Sequence, residues 1–249
     1  MTTSAASAGS ARPALFNQHE SLLARMAGVV VSPRATFDAM ARVPRVGAVL
    51  LVTFAATWLC TALLLQTEVG QLALVDQWER TALAFGQAIG DAEYAALQDA
   101  ARNSIAYAAA TALASGPGLA AAMAALLWVT FNRGGRSATY RQLLAVTAHA
   151  GVILAIRQVI AAPISYGRET LASPTTMSVF FTMLDEASPL ARFLGVIDVF
   201  IIWWLIVLAV GVSVLYRRPA GGLAVVFASV YLGFAAVLAA IMAVLGGIA

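Results

Sequence analysis

The sequence predicts an all-α fold: a polytopic membrane helix bundle of five transmembrane helices, with its N-terminus in the cytoplasm and its C-terminus outside. Three observations predict it. First, 61% of the 249 residues are hydrophobic and only 11% are charged, against roughly half and a quarter in a soluble domain. Second, five apolar stretches are each long enough to cross about 30 Å of hydrocarbon as a helix. Third, arginine is enriched in every other loop, as it is on the cytoplasmic side of membrane proteins.

Along the chain, residues 1–15 begin MTTSAASAGSARP, too small and polar to bury a core, and are expected to be disordered. No secretory signal is legible, because the first 45 residues hold no long apolar core. Residues 16–45 read as one or two amphipathic helices on the cytoplasmic side. Ser32-Pro33 marks a helix start, with Ser as N-cap and Pro at the first helical position. Phe37 and Met40 share a face, Arg34 and Arg42 can reach headgroup phosphates, and Pro44 ends the element. Such a helix either lies in the membrane interface or packs on the cytoplasmic end of the bundle.

The transmembrane domain, 46–249, is expected to contain spans at about 46–66, 105–131, 142–164, 193–215 and 222–248. Its outer loops are 67–104 and 165–192. The first is too long for a turn. Leu72, Val75, Ala82, Phe85 and Ile89 recur at helical spacing, and Gly90-Asp91 marks a break and a new N-cap, so two short helices are expected there. The second mixes charges with Pro174 and Pro189, and its apolar Ser178–Leu184 stretch is expected to lie on or dip into the membrane as a short helix.

Charge provides an independent check. Ten Arg (12, 25, 34, 42, 45, 133, 136, 141, 217 and 218) fall on one side of the spans, opposed only by Glu20 and Asp38. The two outer loops hold four Arg against nine acids. All fifteen basic residues are Arg, a usage that points to a GC-rich bacterial genome and so to the inner (cytoplasmic) membrane. The Arg residues are dispersed between apolar spans, so no nucleic-acid surface is expected. Cys60 is the single cysteine, which excludes an intrachain disulfide and a cysteine metal cluster.

A charge inside a membrane costs at least about 2.5–3.5 kcal/mol, so Arg157 and Asp198 each require a reason. Arg157 falls six or seven residues from the outer end of the third span and Asp198 about five from that of the fourth. At 1.5 Å per residue both would lie roughly 8–10 Å below the outer surface. They are therefore expected to pair. The two residues serve either a proton or solute pathway or a structural role, as a salt bridge that locks two helices or as side chains that snorkel separately to the outer interface; the structural role is favoured. His149, in the third span, can hydrogen-bond across helices or shuttle protons, and has no ligand-spaced partner for a metal. Gly116-Pro117-Gly118 should kink or break the second span. Tyr166, Arg168, Glu169, Asp185 and Glu186 form the outer-loop surface best suited to an extracytoplasmic partner.

Three stretches carry a resemblance: SPRATFDAM before the first span, YRQLLAVTAHAGVILAIRQVI through the third, and SYGRETLASPTTMSVFFTMLDEASPLARFLGVIDVFIIWW into the fourth. Together they resemble the Yip-one domain family of Ypt/Rab-interacting membrane proteins, in particular its bacterial branch. The likeness runs from about Val29 to Val214 and is strongest over 139–205. It implies five spans with a cytoplasmic N-terminus. Eukaryotic relatives are linked to prenylated Rab GTPases and vesicle traffic. This chain lacks their long acidic cytoplasmic domain and the Asp-Leu-Tyr-Gly-Pro segment, so that activity is not carried over.

No nucleotide-binding Gly loop, HExxH, GxSxG or paired-carboxylate constellation is present, so neither catalysis nor a cofactor is expected. The leading expectation is a non-enzymatic membrane scaffold or accessory subunit that works through a membrane-protein partner or self-association. The alternative is a small-solute or ion channel or transporter using Arg157 and Asp198.

Overall fold

Twelve α-helices and no β-strand account for the computed structural model, which describes residues 21–133, 137–181, 183–185 and 188–245. The expected disorder of 1–15 lies outside the described residues. Five helical stretches are long and apolar enough to cross a membrane. They are α3 (Gly47–Leu65), the pair α6 (Ser104–Leu113) and α7 (Leu119–Phe131), the pair α8 (Tyr140–Ala150) and α9 (Val152–Gly167), α11 (Val199–Tyr216) and α12 (Ala220–Leu245). These five coincide with the expected spans except at the start of the fourth.

Before the first span, Ser21 accepts a hydrogen bond from the Ala24 N–H and opens α1 (Leu22–Val31). Pro33 then starts α2 (Pro33–Arg42), as the Ser32-Pro33 signal predicts, although the Ser32 hydroxyl makes no capping bond. Of the two placements open to this segment, α2 takes the packed one. Phe37 and Met40 are buried against α8 and α11, and the Gln142 amide of α8 donates to the Ala41 carbonyl at 2.9 Å.

The long loop after the first span forms α4 (Glu68–Ala84) and α5 (Asp91–Arg102); Gly90 is the N-cap of α5 as expected, but α4 ends earlier, at Ala84, so Phe85 and Ile89 lie beyond it. Thr67 opens α4: its hydroxyl accepts from the Gly70 N–H at 3.0 Å and donates to the Leu64 carbonyl at 2.7 Å. The predicted apolar face is only partly the buried one. Val75 is buried, but Leu72 and Phe85 are exposed, and the inward face is Ala73, Leu74 and Val75. Leu74 and Val75 meet Leu65 and Ala62 of α3 and Ala101 of α5 in a small separate core. The Thr67 turn, rather than hydrophobic spacing, sets the rotation of α4.

Hydrogen bonds at the helix ends align neighbouring spans. Ser104 at the start of the second span donates to the Leu65 carbonyl at the end of the first. At the opposite end, Tyr216 donates to the Asn132 side chain at 2.7 Å, joining the ends of the fourth and second spans. The third and fourth spans form the centre, with 56% and 50% of their most apolar 18-residue stretches buried, whereas the fifth has 11%. The main core joins Phe37 of α2, Leu143, Val146 and Ile153 of the third span, and Leu208 and Val212 of α11.

Gly211 permits the closest of these contacts. A Cβ added there would lie 2.4 Å from Val146 Cγ1 and 3.3 Å from the Phe37 ring, so a methyl group must push two buried side chains out of place. Gly211→Ala should therefore lower stability by about 1–3 kcal/mol, read as a lower thermal midpoint in detergent. Gly47→Ala, where nothing lies within 4 Å, should leave the midpoint unchanged or raised.

Candidate functional site

The sequence places Arg157 in α9 and Asp198 beyond α10 (Pro189–Val196), a short helix opened by Ser188, whose hydroxyl accepts from the Ala191 N–H. The expectation put Asp198 inside a continuous span starting near 193. Instead α10 ends at Val196, Ile197 and Asp198 are extended, and the fourth span begins at Val199. The break has a local cause. The Asp198 carboxylate accepts from the Phe200 N–H at 2.8 Å, which makes Asp198 an N-cap rather than a helix-interior residue. An extended pairing supports it: Met177 N–H donates to the Ile197 carbonyl at 2.8 Å and Val199 N–H to the Thr175 carbonyl at 3.1 Å.

Around this cap the structure builds a polar cluster from four parts of the chain. Arg157 Nε donates to Asp198 Oδ2 at 2.7 Å and to Thr175 Oγ1 at 3.2 Å. Its Nη2 donates to Ser173 Oγ at 2.8 Å. Asp198 Oδ2 also accepts from the Thr175 hydroxyl at 2.6 Å and the Ser173 hydroxyl at 3.2 Å. From α12, Tyr231 Oη accepts from the Asp198 N–H at 3.0 Å and donates to the Val196 carbonyl at 2.6 Å. The Asp198 side chain is 2% exposed and that of Arg157 27%. The Asp198 carboxylate thus joins the third and fourth spans and the loop between them, and bonds between Tyr231 and the backbone of Val196 and Asp198 add the fifth.

The loop enters the bundle at a different place from the one expected. Ser173, Thr175 and Thr176 turn inward, and Thr176 is buried. Among the described residues of the apolar stretch 178–184, regular structure is limited to the end of a 3₁₀ turn, Met177–Phe180, with Phe180, Phe181 and Met183 exposed. The reason is polar: the Ser173 and Thr175 hydroxyls satisfy the charge pair, and apolar side chains could not. Ser173, Thr175 and Tyr231 carry no charge and no motif, so sequence reading passes over them. Their signal is a run of hydroxyls, Ser173 to Thr176, and a lone Tyr in an otherwise apolar span.

The other candidate residues stand apart from the cluster. His149 is fully buried in α8, where its Nδ1–H donates to the Ala145 carbonyl at 2.8 Å and its Nε2 has no partner. Gly116, Pro117 and Gly118 fall in one wide π-helical turn, Ala114–Gly118, that joins α6 to α7. This turn absorbs the missing N–H of Pro117 as a bulge rather than a break. Tyr166, Arg168, Glu169 and Asp185 are exposed, and Glu169 has a left-handed backbone at φ 52°. Glu186 lies outside the described residues. Among the described residues no group of three or more His, Cys, Asp or Glu converges as a metal site.

Removing one member of a buried pair leaves the other charge uncompensated. Asp198→Asn should therefore cost about 3 kcal/mol, at the lower end for such pairs because Arg157 is partly exposed. The double variant Arg157→Met/Asp198→Asn should recover most of that loss, measured as a double-mutant cycle on thermal unfolding in detergent. Tyr231→Phe strands the Val196 carbonyl and the Asp198 N–H, and should cost about 1–3 kcal/mol in the same assay.

The family model of the Yip1 domain matches residues 27–242, most of the chain and all of the polar cluster. No curated protein and no solved structure matches.

Proposed function

The chain belongs to the Yip1 domain family, and we propose that it acts as a non-enzymatic multi-pass membrane scaffold or accessory subunit through helix and loop contacts. In this reading the arginine-rich ends of the spans face the cytoplasm of a bacterial inner membrane. Helices α1 and α2 then lie on the cytoplasmic side, while the 165–192 loop and the C-terminus lie outside. The partner is another membrane protein or a second copy of the chain, met through the exposed Tyr166, Arg168, Glu169 and Asp185, with Glu186 beside them in sequence.

The observation that carries this reading is how Asp198 is partnered. Its carboxylate accepts four hydrogen bonds from its own chain, three on Oδ2 from Arg157, Thr175 and Ser173 and one on Oδ1 from the Phe200 N–H. A translocation site must exchange its partners with a passing solute. A carboxylate so engaged by its own protein instead holds the third and fourth spans and a loop in one arrangement, which is what a docking surface needs.

The competing reading makes Arg157 and Asp198 a solute or ion pathway. Cross-linking mass spectrometry on native membranes, paired with flux in liposomes, separates the two. We expect a stoichiometric neighbour cross-linked through 165–192 or α1 and α2, and no flux from the purified chain. Recovery of the protein without a neighbour, together with flux that Arg157→Ala abolishes, would overturn the scaffold reading.

A further inference from the structure

A groove of about 600 Å³ opens between α3 and α6, apart from the polar cluster. Its size falls within the roughly 300–1,000 Å³ usual for small-molecule sites. Arg102 and Asn103 stand at one end. Phe54 and Trp58 line one wall, with Ile105, Ala106 and Ala109 on the other. We propose that this groove binds one glycerophospholipid, its phosphodiester held by Arg102 and Asn103 and an acyl chain laid along Trp58 and Ile105.

The level of each residue argues for this ligand. Arg102 and Asn103 immediately precede Ser104, where the second span begins, and Ser104 is bonded to Leu65, where the first span ends. The mouth therefore lies where spans meet headgroups. From there Ala109 is roughly 8 Å down α6, Trp58 roughly 10 Å and Phe54 roughly 16 Å down α3, at 1.5 Å per residue. The groove is basic and polar at the interface and apolar for the depth of several turns, which is the polarity of a phospholipid read from phosphate to chain.

The mouth can spare its donors. Arg102 pairs with Asp99 at 3.3 Å, both side chains about three-quarters exposed, and such pairs are worth little. A guanidinium presents five N–H donors in a planar fork that matches two phosphate oxygens. The Asn103 side chain makes no hydrogen bond among the described residues and is exposed. Charge complementarity selects the phosphodiester over an uncharged lipid, and the exposed side of the groove, with Ile105 52% accessible, admits a chain from the bilayer.

The test uses the full chain in a mild detergent, with native mass spectrometry to count retained molecules of phosphatidylglycerol and of the diacylglycerol with the same chains. One phosphatidylglycerol should be retained per chain, and diacylglycerol about tenfold more weakly, the loss of one charge-assisted hydrogen-bond site. Arg102→Gln should weaken phosphatidylglycerol by a similar factor. Ala109→Trp should fill the groove and abolish retention of both, and Ala109→Leu should weaken both if the larger ring prevents folding. In nanodiscs, phosphatidylglycerol with a photoreactive group on its acyl chain should label α3 and α6 at Trp58 and Ala109. Equal retention of the two lipids, indifference to Arg102→Gln, labelling spread evenly over all the spans, or a lipid-free dimer seated on this face would each overturn the proposal.

Discussion

A guanidinium among apolar helices must find an anion and enough acceptors, because hydrocarbon offers neither. Arg157 imposes that requirement here, and one end of the bundle is arranged to meet it. Asp198 leaves the helical path to become an N-cap, and the loop after α9 folds inward to bring Ser173 and Thr175 within hydrogen-bond reach. Tyr231 of α12 closes the freed backbone groups at Val196 and Asp198. The fifth span, largely open on its outer faces, is thus tied to the centre by a directional bond as well as by packing.

The other end is held by fit rather than charge. Between membrane helices the hydrophobic effect gives little, since lipid tails are as apolar as leucine, and close packing must supply the attraction. Gly211 lets α11 approach Val146 of α8 and the Phe37 ring of α2 at distances that a methyl group would prevent. The short α2 helix consequently becomes part of the core. Of its two possible placements, the one in contact with the bundle buries Phe37 and Met40 completely or nearly so.

The two ends divide the work in a way that suits a member of the Yip1 domain family acting through contacts. A centre made of the third and fourth spans supports a loop whose root is anchored at Ser173–Thr176 and whose Arg168, Glu169 and Asp185 remain exposed. The first and second spans, less buried than the centre, leave a groove open to lipid. What these features supply is shape and fixed position.

Composition and charge were enough to predict five spans, because the membrane imposes length and apolarity on each segment independently of its neighbours. The Gly90 cap of α5 and the start of α2 at Pro33 were legible for a similar reason, since caps and prolines act within a few residues. The depth argument that brought Arg157 and Asp198 together named the right partners, but placed Asp198 within a helix that in fact begins one residue later. Sequence could not reveal the N-cap, because its formation depends on Thr175 and Met177 lying alongside Ile197 and Val199. Nor could spacing tell which face of α4 turns inward, or that Phe37 would meet Gly211. The sequence by itself determined how many helices cross and which residues carry charge into them. The tertiary structure alone decided how those charges are satisfied, because hydroxyls from a loop and a tyrosine from another span become partners only after distant segments have packed.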